Sequence, residues 1–320
     1  MHKKLRILLN LSVFVLIIGF VWYMVGSLGK NEPIFGSIHL TGEPSPYKKI
    51  SSIKTKSEII RFDLSDENIF IAENHTVMIY NKTGALLKRL LVEQEIRDIK
   101  VEGDRIYLLY PTAIEVYAVE GEKITGWKAS RVNSDYCSMA LSSEYIFVTD
   151  AGNKNICKYT KEGDYIAVIL SPDGFIIPSY SFDIINIGDT IYCSNSGRHR
   201  IESYTLEGEY ITSFGKSGSE AGSFAGCCNP AYLAVTTNGN ILTSEKGAPR
   251  ISCFSRDGKF NTILLSDKTL GGGVKAYSVK VKDERIYVAG KNTLSVFVYD
   301  TQLAVRATCA GCPLDCKPHP

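Results

Sequence analysis

The chain has 320 residues, 44% hydrophobic and 22% charged, which is enough for one large domain or two of average size and too apolar for a disordered tail. Its 36 Lys and Arg against 34 Asp and Glu leave +2. The stretch before Ile34, with Lys3, Lys4, Arg6 and Lys30 against Glu32, carries +3 of that, so the remainder sits near −1. Such a body offers no field for a polyanion and no local basic patch large enough to replace one, which argues against nucleic acid as a partner. Eighteen Tyr and 27 Gly beside four Met and two Trp favour many short strands and tight turns over helices.

From Ile7 to Val25 the chain reads ILLNLSVFVLIIGFVWYMV, uncharged and about as long as the ~20 residues a membrane-spanning helix needs. Trp22 and Tyr23 stand near its far end, where aromatic rings favour the interface. Lys3, Lys4 and Arg6 precede it, which keeps residue 1 in the cytoplasm and sends the rest outward. A cleaved signal peptide is the alternative, with small residues at Ser27 to Gly29, but the apolar run exceeds the usual ~7–15 residue core of a signal. Residues 1–30 therefore read as a cytoplasmic stub and signal-anchor that makes the membrane a partner of the chain. Residues 31–46, with Pro33, Gly36, Pro44 and Pro46, read as a stalk.

Beyond the stalk one pattern recurs. A β-rich stretch ends in an aromatic, and a Gly follows four residues later: Tyr80 and Gly84, Tyr117 and Gly121, Tyr159 and Gly163, Tyr204 and Gly208, Phe254 and Gly258. A sixth copy at Tyr299 has Leu303 in place of the Gly. The aromatics are spaced by 37, 42, 45, 50 and 45 residues, matching the ~40–50 residues of a four-stranded propeller blade. Each copy holds an alternating strand such as IIRFDLS, then an apolar strand such as IFIAE, then the strand ending in the aromatic, then an outer strand after the Gly. The spacing predicts an all-β, six-bladed propeller over residues 47–308, because an isolated blade leaves an apolar face wet and two edges bare. The sixth copy lacks its turn Gly, so its outer strand is expected from Tyr47 to Thr55. Residues 309–320 form a Cys-rich tail.

Residues 208–258 resemble the NHL repeat through Gly215, Gly218, Gly222, Phe224, Pro230, Gly239, Arg250 and Ile251. Blades three and four fit more loosely through Asp150, Gly152, Asn155 and Ile156, and through Asn195, Gly197, Arg200 and Ile201. The resemblance covers roughly half the chain and implies a six-bladed propeller more firmly than any activity. Glu245 stands where that family usually has Asp, and Ala225-Gly226-Cys227-Cys228-Asn229 makes a longer gap before Pro230 than the family uses.

Asp150, Asn195 and Glu245 end equivalent strands of three successive blades. Two readings are open: their oxygens converge on Ca2+ or another divalent cation, as in calcium-dependent lactonases that share the architecture, or each caps its own turn or pairs with Arg200 or Arg250. The second is favoured, since a repeat-consensus position usually serves the repeat. Arg198, His199 and Arg200, with Lys246 and Arg250 in the equivalent loop of the next blade, are candidates to clamp a carboxylate or phosphate. Four of the nine cysteines, Cys137, Cys157, Cys193 and Cys253, fall in strands and read as small apolar residues. Cys227, Cys228, Cys309, Cys312 and Cys316 sit in irregular segments, where disulfide formation is favoured and a Cys-bound metal and free thiols are the alternatives.

No standard enzymatic signature occurs. The sequence thus points to a membrane-anchored, extracytoplasmic binding or scaffolding module. Its protein or small-molecule partner is expected at the channel mouth near blades four and five, where Arg198, His199, Arg200, Asn229, Glu245, Lys246 and Arg250 gather. A metal-dependent lactonase-like hydrolase and a redox or metal role for the Cys tail are the rival readings.

Overall fold

The alternating repeats fold into six four-stranded antiparallel sheets, five of them running in sequence order from an inner to an outer strand. The computed structural model describes residues 45–303 except 248 and 273–274. Blades one to five span residues 61–91, 98–128, 136–169, 184–214 and 232–265; blade six takes three strands from 278–299. Its fourth is Tyr47–Lys54, which runs antiparallel to Thr293–Tyr299 with Tyr47 opposite Tyr299 and Lys54 opposite Thr293. The first strand of the domain therefore zips the last sheet. Pro46 adds a hydrogen bond from the Asp300 N–H to its carbonyl, 2.7 Å.

Ring closure is visible in the core. Six apolar clusters lie between successive sheets, one per interface, and Phe62, Ile69, Ile71 and Tyr80 of blade one pack on Tyr287, Leu294 and Val296 of blade six. Each large side chain buried this way contributes about 1.5–3 kcal/mol, and every sheet buries such side chains against both neighbours. The aromatic that ends each third strand is buried in blades one to five, whereas Tyr299 of the closing blade is 54% exposed and meets Tyr47 edge-on at 5.6 Å.

The Gly after that aromatic has a backbone reason. At Gly163, φ is +103° and the N–H closes a turn onto the Thr160 carbonyl. A Cβ there would also lie 2.6 Å from the Trp127 ring of the preceding blade, so an L side chain meets both strain and a clash.

In this meander the loops joining second to third strands and the blade-to-blade crossings share one face, called the top face below. Among the described residues no helix is long and apolar enough to cross a membrane. The apolar run at 7–25, most of the stalk, and the tail with Cys309, Cys312 and Cys316 lie outside the described residues.

Candidate ligand site at the channel mouth

The inner strands place polar residues where their alternation points toward the axis, and these meet as a buried ionic layer. Arg61 of blade one donates to Asp183 at the start of blade four, 3.1 Å, and lies 3.9 Å from Asp98 of blade two. Ser138 of blade three bridges both carboxylates, 2.9 Å from Asp98 and 2.5 Å from Asp183. The Arg61 guanidinium also covers the Tyr232 ring of blade five at 4.2 Å, a cation–π contact.

The same carboxylates fasten neighbouring strands. Asp98 accepts from the Met139 N–H and Asp183 from the Leu233 N–H, at 2.9 and 2.7 Å. One step lower, Asp63 accepts from the Val101 N–H at 2.8 Å and pairs with Lys280 of blade six at 3.2 Å, while Lys100 donates to Asp98 at 2.6 Å. Burial works against ionisation of Asp98, but Lys100 and Arg61 outweigh it and hold its carboxyl at about 2.

Above this layer the channel opens into a cavity of about 580 Å³ on the top face, with wall residues from all six blades or the crossings into them. That volume suits a small molecule. Its wall carries the cations Arg61, Arg97, Lys246, Lys275 and Lys291 against one carboxylate, Glu58, which Lys275 engages at 2.6 Å. Arg61 is spent on the layer below. Lys246 reaches the Ser181 hydroxyl at 3.3 Å, and the Arg97 Nε is buried with no hydrogen-bond partner among the described residues. Arg97 also lies 3.8 Å from Asp135, just outside the wall, so the surplus positive charge of the wall rests on Lys246 and Lys291. Ser179 and Tyr180, also in the wall, have φ of +55° and +57°, a conformation that non-glycine residues keep only where the surroundings impose it.

Of the residues expected at the rim, Lys246 lines this cavity. Asn229 stands behind it as a staple: its amide donates to the Ala225 and Lys246 carbonyls, 2.6 and 3.0 Å, and accepts from the Lys246 N–H, 2.9 Å. His199, at φ +56°, bonds through Nε2 with the Gly226 carbonyl, tying the blade-four loop to the cysteine loop. Arg198 donates to the carbonyls of Asp173 and Gly174. Arg200 divides between Asp173 and the buried Glu202, 2.8 Å to each. Arg250 is buried in a two-pronged pair with Glu245, 2.5 and 2.9 Å. These three arginines organise loops and lie outside the wall.

Asp150, Asn195 and Glu245 each serve their own blade. Asp150 accepts from the Asp135 and Asn153 N–H groups. Asn195 accepts from the Ile176 N–H and donates to Glu202, and Glu245 is spent on Arg250. Among the described residues no three His, Cys, Asp or Glu side chains gather as metal ligands would. The six described cysteines are free thiols, and Cys227 and Cys228 place their sulfurs 2.7 Å apart.

Reading the sequence alone overlooks the axial layer and most of the wall. The signal was present: Arg61, Asp63, Asp98, Lys100 and Lys280 are charges at alternate positions of otherwise apolar inner strands.

No protein-family model matches the chain, and no curated protein does. Among solved structures it is similar to virginiamycin B lyase from Staphylococcus aureus, at 12% identity and TM-score 0.56 over 79% of this chain and 99% of that one. It is similar to a protein of unknown function from Bacteroides thetaiotaomicron, at 12% identity and TM-score 0.56 over 79% and 72%. It is also similar to the WD40 domain of Neurospora crassa Pan2, at 8% identity and TM-score 0.56 over 82% and 97%. At these identities the likeness shows a six-bladed β-propeller fold and carries no activity with it.

Proposed function

We propose that this propeller is a binding module that captures a small anionic ligand, or an anionic group of a partner, at the mouth of its channel. It is built of NHL-like repeats and held outside the cytoplasm by the anchor at Ile7 to Val25. The observation that carries the reading is the cavity itself: a wall in which Lys246 and Lys291 have no carboxylate partner among the described residues, closed below by the Arg61 layer. A pocket with surplus positive charge and low-dielectric walls concentrates anions. Lys246 and the strained Ser179-Tyr180 segment put the most distinctive chemistry on the side of blades four and five.

Calorimetric titration of the detergent-solubilised chain with citrate as the probe tests this. Binding should weaken as salt is raised, and the double variant Lys246→Gln/Lys291→Gln should bind at least about tenfold more weakly, equivalent to losing roughly 1.4 kcal/mol. Equal binding of citrate and an uncharged analogue of its size, or no change in the double variant, would overturn the reading.

A further inference from the structure

The crossing from blade four to blade five carries two adjacent thiols beside the cavity, and their setting differs from that of every other described cysteine. Cys137, Cys157, Cys193 and Cys253 sit singly in strands, where burial pushes their thiols up, to about 12 for the first two. Such thiols are inert. Cys227 is exposed and Cys228 buried, with their sulfurs 2.7 Å apart. The loop is fixed on three sides: by the Asn229 staple to Lys246, by His199 on the Gly226 carbonyl, and by Ser179, whose hydroxyl is 3.8 Å from the Cys228 sulfur. Ser179 and Lys246 are themselves wall residues of the cavity. The dithiol is therefore one residue removed from the proposed anion site.

We infer that Cys227 and Cys228 form a dithiol–disulfide exchange site that acts on small anionic disulfides bound at the channel mouth.

Cys227, the accessible sulfur, attacks one sulfur of the bound disulfide. The substrate S–S bond breaks, a mixed disulfide forms on Cys227, and the Cys227 proton leaves with the first thiol. Cys228 then attacks the Cys227 sulfur, the mixed disulfide breaks, and the Cys228 proton goes to the second departing thiolate. Two electrons pass from the protein dithiol to the substrate, which leaves as two thiols while the protein keeps a vicinal disulfide. Burial raises the Cys228 thiol, but the Cys227 S–H, the Ser179 hydroxyl and the Lys246 ammonium bring it below the ordinary thiol range. The same S–H contact raises the Cys227 thiol, so Cys227 leads through its exposure; once it is in the mixed disulfide its S–H is gone, and Ser179 and Lys246 remain to favour the Cys228 thiolate that resolves it. The preference for an anionic disulfide rests on the proposed anion site; the dithiol chemistry does not.

The test uses the full chain in detergent, reduced, then exposed to oxidised glutathione, which is anionic, and to 2-hydroxyethyl disulfide, which is neutral, with products mapped by peptide mass spectrometry. The peptide holding Cys227 and Cys228 should lose two hydrogens and regain them on adding reduced glutathione. Cys228→Ser should instead stop with one glutathione on Cys227, and Cys227→Ser should not react at that peptide. A chain with Cys309, Cys312 and Cys316 all changed to Ser should behave as the parent. Oxidised glutathione should react at least about tenfold faster than the neutral disulfide at low ionic strength, with the ratio collapsing toward one in high salt. A pair that stays reduced, a stable mixed disulfide in the parent chain, or a bridge from either sulfur to the tail would overturn the exchange site. Reversible vicinal oxidation at equal rates with both reagents would overturn the anion preference and leave the exchange chemistry standing.

Discussion

Arg61 marks the boundary between two sets of charges that are handled in opposite ways. Below it, Asp98 and Asp183 are buried and Lys100, Asp63 and Lys280 are half-buried; all are paired, and the carboxylates also accept backbone N–H groups from the next blade. Above it, Arg97, Lys246, Lys275 and Lys291 line an open cavity with Glu58 as the sole acid in its wall. A desolvated ion must be matched or it destabilises the fold, so the lower set is constrained to neutrality. The upper set is wet, and an imbalance there costs little, which leaves it available for an external anion. The same residue types thus act as a structural axle in one place and as a receptor in the other, and exposure decides which.

The largest test of that division lies in the axle. Asp183→Ala removes the closest partner of the largely desolvated Arg61, 12% exposed, and leaves the Leu233 N–H without its acceptor. Stranding a buried charge costs about 3–5 kcal/mol, which urea unfolding of the propeller would register as a clear fall in midpoint. A loss below about 1 kcal/mol would mean that water reaches Arg61 freely and that the axle is part of the receptor.

Acid should separate the two sets without mutation. Asp98 is held down from 3.8 to about 2. A depressed folded value contributes stability that is complete above the ordinary carboxylate range and is lost as pH falls from about 4 through about 2. Just under two pH units corresponds to roughly 2 kcal/mol. Lys100→Gln should flatten this acid limb by removing the strongest of the three cations, Lys100, Arg61 and Lys280, that hold the carboxyl down, while Lys291→Gln in the mouth should leave it unchanged. An identical limb in Lys100→Gln would sink the assignment.

How much of this could be read beforehand depends on the range of the interaction. The aromatic-to-Gly interval is local, set by a turn closed between residues such as Thr160 and Gly163, so the blade count was legible from spacing. The closing role of Tyr47–Lys54 was legible as well, because Leu303 replaces the turn Gly of the last repeat. The site was legible only in part. Lys246 stands in the wall, but Arg200 and Arg250 are spent on Glu202 and Glu245, since an Arg next to a buried carboxylate on the same hairpin finds it before any ligand can. Arg61 and Asp183 meet across the axis at 122 residues of separation, and no local pattern marks which inner-strand charges will face one another. Their only trace was polar residues interrupting apolar strands.

The smallest effect is the sharpest discriminator, because it should carry the opposite sign. Lys291 has no acidic partner among the described residues and shares the cavity wall with Arg97, Lys246 and Lys275. Removing its charge in Lys291→Gln relieves repulsion among like charges held near one another. Thermal unfolding should therefore show stability unchanged or raised by a few tenths of a kcal/mol, within the ~0.5 kcal/mol usual for surface positions. The gain should shrink as added salt screens the wall. In the presence of a bound anion the sign should reverse, since the variant forfeits ligand stabilisation that the parent gains by mass action. A destabilisation above about 1 kcal/mol without ligand would place Lys291 with the axle and erase the distinction between the two sets of charges.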